Sequence, residues 1–423
     1  MRTEAAVIHG KGKIKVAEVE LPPIGPDEIL MKVMSDSICM STYKATILGE
    51  DHKRVPPNIA EVPVMAGHEF AGEIVEVGAD YQDDYQVGQR IAIQPAMGLP
   101  NGYSSGYSYP YFGGDTHYTI IPKIAIDKGC VLPYDGTYFA NAGLAEPMSC
   151  IIGAFHAQYH TKPFVYEHFM GPVKGGRMAL LGCAGPMGIG AIDYAINGPY
   201  KPAQVVVVDI DQARLDRVAS LLTVEDARAK GVELQYVNTS EGDPVDTLRA
   251  LTPDAKGFDD VFVFAPVRAL VELGDKILGF DGCLNFFAGP TDKSFVADFN
   301  FYNVHYESTH IVGTSGGSTG DMVESLEMSA RGELNPSFMV THVGGLDSVP
   351  ETVLTYPTIP GGKKLIYPWA RMPLTAIEDF AELGKDDEFF AGLAEICGRN
   401  NNIWNEEAER YLLEHKAIPE HTA

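Results

Sequence analysis

Between two purely apolar runs, Met178-Ala179-Leu180-Leu181 and Val205-Val206-Val207-Val208, the chain places Gly182-Cys183-Ala184-Gly185-Pro186-Met187-Gly188-Ile189-Gly190 and then a helix-length segment. Two more such runs follow at Val261-Phe262-Val263-Phe264 and Leu284-Asn285-Phe286-Phe287, again separated by helix-length stretches. A strand without a polar face has to be covered on both sides, so this region predicts an α/β unit with a doubly wound parallel sheet.

The glycine-rich turn leaves a strand and opens a helix, which is where backbone N–H groups and the positive helix end receive a pyrophosphate. Its register is imperfect: the first glycine of GxGxxG falls on Cys183, with Gly182 one residue early. An ordinary strand-turn-helix connection is the plainer reading of such a loop. Asp209 adds weight, because it closes the Val205–Val208 run 21 residues after Gly188. A carboxylate there binds the ribose hydroxyls and repels a 2′-phosphate, favouring NAD(H) over NADP(H). The expected coenzyme set is Gly182, Gly185, Pro186, Met187, Gly188 and Asp209, with Arg214 and Gly289 beside them.

The N-terminal third has a different texture. Ala5–Ile8, Ile29–Val33, Ala71–Gly78 and Arg90–Ile93 are short β-rich runs between turn residues, which suits a small irregular β-barrel. Lys364-Leu365-Ile366-Tyr367 reads as a strand returning to that barrel, and Phe380, Leu383, Phe389, Phe390, Leu393 and Ile396 fall at helical spacing in an appended tail. The expected division is a catalytic domain over 1–152, a coenzyme domain over 153–318, a return to the first over 319–367 and a helical extension over 368–423.

Three loops of the first part carry Cys39, His68-Glu69 and Glu146. Taken singly, a cysteine is commonly a small buried hydrophobe and a glutamate before proline a helix-start charge. Together a thiolate, an imidazole and a carboxylate form the open three-ligand set of a catalytic zinc, and hydride transfer needs such an electrophile. Cys39, His68 and Glu146 are therefore the expected metal ligands, with Glu69 as an outer partner or as a replacement for Glu146.

The net charge of −25 disfavours nucleic acid and anionic membrane surfaces as partners. Six scattered cysteines without a CxxC pair suggest reduced thiols rather than a disulfide framework. No basic-then-apolar leader and no bilayer-length apolar run is evident, so a soluble cytoplasmic protein is expected. Against this acidity, Lys44 and His52-Lys53-Arg54 stand out just after the first metal candidate, as a local cationic pocket for a substrate phosphate or as a solvated loop.

Leu21–Leu30, Gly67-His68-Glu69-Phe70-Ala71-Gly72, Val87-Gly88-Gln89-Arg90-Ile91-Ala92, Gly113–Tyr118 and Glu146-Pro147 occur in an order that resembles the zinc-containing medium-chain dehydrogenase/reductase superfamily, in its polyol dehydrogenase branch. The resemblance spans about residues 1–367. With Ser37–Lys44 and the long tail, the chain is most similar within that branch to the L-sorbose-1-phosphate reductase group. It implies a GroES-like barrel, a Rossmann coenzyme domain, a dimer or tetramer, and interconversion of L-sorbose 1-phosphate and D-glucitol 6-phosphate with a nicotinamide coenzyme. Ser41 matches the hydroxyl that relays the substrate proton. Two departures are visible. Thr42 replaces the aspartate that orients the histidine, and the stretch Gly98–Gly114 holds Tyr103, Tyr107, Tyr109, Tyr111 and Phe112 in place of four cysteines, so one catalytic zinc and no structural zinc is expected. The alternatives are a zinc dehydrogenase of an unphosphorylated polyol or amino alcohol, a zinc-free reductase, and a catalytically silent binding protein keeping the fold.

Overall fold

Short β-rich runs pair first. They form β1 (Arg2–Ile8), β2 (Ile14–Glu20), β3 (Ile29–Ile38), β4 (Val64–Met65), β5 (Ala71–Val77), β6 (Arg90–Ile93), β7 (Tyr118–Ile121) and β8 (Val131–Pro133) in the computed structural model, which describes residues 1–418. β1 lies antiparallel between β2 and β4, while β3 pairs antiparallel with both β5 and β7, and β6 joins β5 to β8. Ile29, Met31, Val33, Phe70, Ile91, Ile93 and Phe112 fill the space these strands enclose. Phe112 meets Phe70 and Tyr109 edge-on, so in the Gly98–Gly114 stretch aromatic packing joins the core.

Contacts divide the chain into two units, Met1–Pro147 with Met322–Ala423, and Met148–Asp321. The second unit begins within a helix, Ala145–Ala157, and continues with a hairpin, β9 (Tyr159–Lys162) and β10 (Val165–Met170). Six strands then form one all-parallel sheet: β11 (Arg177–Leu181), β12 (Gln204–Asp209), β13 (Glu233–Asn238), β14 (Phe258–Val263), β15 (Leu278–Phe286) and β16 (His310–Val312), in the order β13-β12-β11-β14-β15-β16. Val205–Val208 and Met178–Leu181 are fully buried, as strands covered on both faces must be. This order reverses direction beside β11, the place where α/β sheets bind ligands at their strand ends.

The chain then rejoins the first unit through β17 (Val340–Gly345), β18 (Lys363–Tyr367) and β19 (Thr375–Ala376). β18 runs antiparallel to the end of β3, setting Leu365 against Ser37 and Ile366 against Asp36. The extension is helical, but it is not the appendage expected from its sequence. Its segments Phe380–Leu383, Glu388–Gly398 and Glu406–Lys416 bury Phe380, Leu393, Ala408 and Leu412 within the first unit, and Trp404 between the last two is buried as well. The reason lies in the apolar spacing: an amphipathic helix has to hide its apolar stripe against something.

Candidate active site and coenzyme loop

β3 ends at Ile38, and Cys39 takes an extended conformation as the residue that caps helix Met40–Leu48. His68 and Glu69 reach the same place from the turn between β4 and β5, where Asp36 accepts hydrogen bonds from the Glu69 N–H (3.0 Å) and the Ser37 N–H (2.7 Å). One ligand atom each from Cys39, His68 and Glu69 lies within 4.8 Å of the other two. Glu146 is not in that trio; its charge is one of the lesser contributions that raise the pKa of Cys39 and Tyr107.

Ser41 sits at the centre. Its Oγ donates to Cys39 Sγ (3.0 Å), accepts from Tyr107 Oη (2.8 Å) and is 3.3 Å from His68 Nε2. Tyr107 is fully buried and its hydroxyl also lies 3.1 Å from His68 Nε2. On the other side of the imidazole, Thr42 Oγ1 is 3.3 Å from Nδ1. With Nδ1–H donating to Thr42, Nε2 is left as the lone-pair nitrogen facing Ser41 and Tyr107. Thr42 thus stands where the missing aspartate would act.

Electrostatics favour the neutral imidazole and the neutral thiol. Burial lowers the His68 pKa to about 4, and burial followed by the Glu69 charge pushes Cys39 up to about 12. A buried thiol ionises readily only beside a cation, and a divalent metal is the cation that a sulfur, nitrogen and oxygen donor set accepts. The donor set therefore fits zinc.

Glu69 is already engaged. Lys363, the first residue of β18, places its ammonium 2.5 and 2.6 Å from the two carboxylate oxygens, and Ser37 Oγ donates to one of them. Burial alone would raise the Glu69 carboxyl; Lys363 and His68 overcome it and hold the pKa below the usual range. Sequence reasoning missed both Lys363 and Tyr107.

The cationic segment is split by the fold. The Arg54 guanidinium lies over the Tyr107 ring at 5.3 Å, and the His52 ring stacks on it at 6.0 Å. Lys53 is exposed, and with Arg54 and Lys44 it adds to burial in lowering the His52 pKa. A cationic rim thus adjoins Tyr107.

In the second unit Gly182 supplies the tight turn after β11 with φ +63°, and Cys183 turns its side chain into the interior. A Cβ on Gly188 would collide with the Cys183 carbonyl oxygen, whereas one on Gly185 would meet open space. The turn thus falls at Gly182, open space at Gly185 and close packing at Gly188. Pro186 and Met187 form the first turn of helix Pro186–Asn197, capped by Gly185. Asp209 Oδ2 accepts the Ala184 N–H (3.1 Å), which brings the β12 carboxylate against this loop. Arg214 lies on the next helix, largely exposed and 3.4 Å from Asp211, and Gly289 follows β15 with open space at its Cβ position.

The alcohol dehydrogenase GroES-like domain matches residues 25–131, and the zinc-binding dehydrogenase family matches residues 186–331. A protein of Aliivibrio fischeri named mannitol-1-phosphate 5-dehydrogenase is 64% identical over 98% of this chain and 98% of its own length. The chain belongs to the zinc-containing medium-chain dehydrogenase/reductase superfamily. Within this superfamily it lies in the polyol branch, near L-sorbose 1-phosphate reductase of Klebsiella pneumoniae, which is 42% identical over 98% of each chain. The crystal structure of 2R,3R-butanediol dehydrogenase from Bacillus subtilis shares the dehydrogenase fold, with a TM-score of 0.69 at 19% identity over 86% of this chain and 99% of the other. The chain is accordingly an alcohol or polyol dehydrogenase with an α/β fold. Among the described residues no helix is long and apolar enough to cross a membrane.

Proposed function

We propose that this enzyme moves a hydride between a nicotinamide coenzyme, NAD(H) before NADP(H), and a phosphorylated hexitol or its ketose. The observation that carries the reading is the convergence of Cys39 Sγ, His68 Nε2 and Tyr107 Oη on Ser41 Oγ. When bound, a catalytic zinc supplies Lewis-acid polarisation of the substrate oxygen. Cys39 and His68 would hold it, with Glu146 as the carboxylate, because Lys363 and Ser37 occupy both oxygens of Glu69.

In this reading Ser41 passes a proton to the oxygen of the ketose during reduction and takes it back during oxidation, with Tyr107 supplying the next hydroxyl of the relay. Arg54, His52, Lys53 and Lys44 hold the substrate phosphate near Tyr107. Asp209 receives the ribose hydroxyls, which is the support for NAD(H). The two relatives most informative on substrate are named for mannitol 1-phosphate and L-sorbose 1-phosphate. Both names specify phosphorylated six-carbon compounds, so these are the first two substrates to assay, and conversion of L-sorbose 1-phosphate to D-glucitol 6-phosphate is one form of the reaction. Assembly as a cytoplasmic dimer or tetramer belongs to the same reading and is checked by sedimentation.

A spectrophotometric screen tests the proposal, following NADH and NADPH with mannitol 1-phosphate, sorbose 1-phosphate and their free forms, before and after chelation. The expected outcome is oxidation of NADH with sorbose 1-phosphate or reduction of NAD⁺ with mannitol 1-phosphate, lost on chelation and restored by Zn²⁺. Arg54→Ala and Lys53→Ala should weaken the phosphorylated substrate more than the free one; equal losses on both would remove the phosphate role. Preference for the free polyol or an amino alcohol, or coenzyme binding without any turnover, would replace the reading.

A further inference from the structure

The second unit holds another convergence of ligand atoms. His160 on β9, Asp281 on β15 and His310 on β16 each offer one ligand atom within 4.8 Å of the other two. His160 Nδ1 is 3.6 Å from Asp281 Oδ2, and His310 Nε2 is 3.8 Å from Asp281 Oδ1. Two donors on a zinc-sized ion lie about 3.3–3.5 Å apart, a little closer than these two separations.

Four further observations point to a ligand. Among the described residues the buried His310 Nε2 has no hydrogen-bond partner, which few native polar atoms tolerate. The His310 ring is fixed by stacking on Tyr159 at 4.4 Å. His160 Nε2 lies 3.1 Å from Asp260 Oδ1, and Asp260 is itself held by Gln158 Nε2 and the Val173 N–H, both at 2.9 Å. That is the carboxylate-histidine arrangement which orients metal-bound imidazoles. Asp281 has φ +55° within a strand, and its carboxylate accepts from the Thr161 N–H (2.8 Å) and hydroxyl. A strained backbone conformation held by its surroundings is a mark of a functional position.

The charge balance agrees. Among the described residues neither Asp260 nor Asp281 is paired with lysine or arginine, although their side chains are only 2% and 14% exposed. His160 Nδ1 also lies 3.0 Å from the Asp281 carbonyl oxygen, so in the metal-free chain it donates a proton there. A divalent cation here would neutralise both carboxylates.

We propose that His160, Asp281 and His310 bind a second divalent transition-metal ion, zinc in the first instance, with the Asp281 carbonyl oxygen in reach as a fourth donor. The ion fastens the base of the β9–β10 hairpin to β15 and β16. That hairpin needs fastening, because every residue of β10 is exposed, and Phe164 and Tyr166 are 94% and 97% exposed. It also raises the expected metal content from one ion per chain to two.

The test uses the full chain, stripped by chelation, re-equilibrated with Zn²⁺ and desalted before elemental analysis. Wild type should hold two equivalents, and His310→Gln and Cys39→Ser one each. With Co²⁺ in place of zinc, Cys39→Ser should keep visible d–d absorption without a thiolate charge-transfer band. A single wild-type equivalent that disappears in Cys39→Ser and survives in His310→Gln overturns the proposal. A single equivalent with the opposite pattern would support it and sink the thiolate site instead. Should His310→Gln fail to fold, Asp260→Asn leaves all three ligands in place and should weaken the second equivalent about 10–100-fold; unchanged affinity there counts against the proposal.

Discussion

At Tyr107 one buried hydroxyl reaches both Ser41 Oγ (2.8 Å) and His68 Nε2 (3.1 Å). Tyr107→Phe keeps the ring, and with it the stacking of His52 and Arg54, while deleting that hydroxyl. Turnover should fall on the order of 10²-fold with little change in the coenzyme KM, read by steady-state kinetics; an unchanged kcat would show that Ser41 relays protons without it. Lys363 is the other residue whose role is set by one contact. Lys363→Met leaves a buried carboxylate uncompensated beside Cys39 and His68, at a cost of about 3–5 kcal/mol in urea unfolding. Adding Glu69→Gln should recover part of that loss, and the double-mutant cycle measures how much. Cys39 and His68 were legible because their residue types and local motifs carry the chemistry. Tyr107 and Lys363 were not assigned these contacts, since Tyr107 lies 66 residues from Ser41 and Lys363 294 from Glu69, whereas Thr42 was visible as the replacement for an orienting aspartate.

Among the elements, the helix Glu406–Lys416 ties the extension to the segment that leads to Glu146. Glu409 accepts hydrogen bonds from the Phe139 and Ala140 N–H groups (both 2.9 Å), which open the helix Phe139–Gly143, and from Tyr367 Oη (2.8 Å), itself bonded by Trp404 Nε1 (2.7 Å). Burial raises the Glu409 pKa from its ordinary 4.5 to about 7, although Tyr367 and the two N–H groups pull it down. A raised carboxyl binds its proton more tightly in the folded chain. Its stabilising contribution is therefore complete below about pH 4.5 and is lost as pH rises through about 7, by about 3 kcal/mol. Glu409→Gln carries no such proton, so wild type should lose ground to it between about pH 5 and about pH 8 in urea midpoints. A pH-independent difference would show that Glu409 titrates at its ordinary value. Trp404→Ala should cost about 3–5 kcal/mol, because the indole is fully buried and its loss leaves a cavity in the first unit.

For the whole molecule, the Cys39, His68 and Glu69 donors and the Gly182–Gly188 loop fall in different units, so zinc at the first and coenzyme at the second should stabilise the chain through separate sets of residues. NADH at about a hundredfold its Kd should stabilise the protein by about 2.7 kcal/mol, read from thermal scans with and without coenzyme. Asp209→Ala should shrink the NADH shift and leave the zinc shift in place; equal loss of both would mean that Asp209 holds up the fold rather than the coenzyme. Against the net charge of −25, the rim around Arg54 is a local concentration of basic residues.

Periodicity was sufficient to read the parallel sheet, the barrel strands and the helical character of the extension, because apolar spacing dictates which elements can bury a face. The thiol, imidazole and carboxylates of the candidate metal site were equally visible, since their chemistry travels with residue type. Long-range pairing decided the rest. The antiparallel pairing of β18 with β3 accompanies the contact of Lys363 with Glu69, and folding of the Gly98–Gly114 stretch set Tyr107 against Ser41. Burial of the last helices turned a presumed appendage into core. None of these contacts has a local sequence signal, because a buried hydroxyl or ammonium acquires its role only from the partners that the complete fold brings to it.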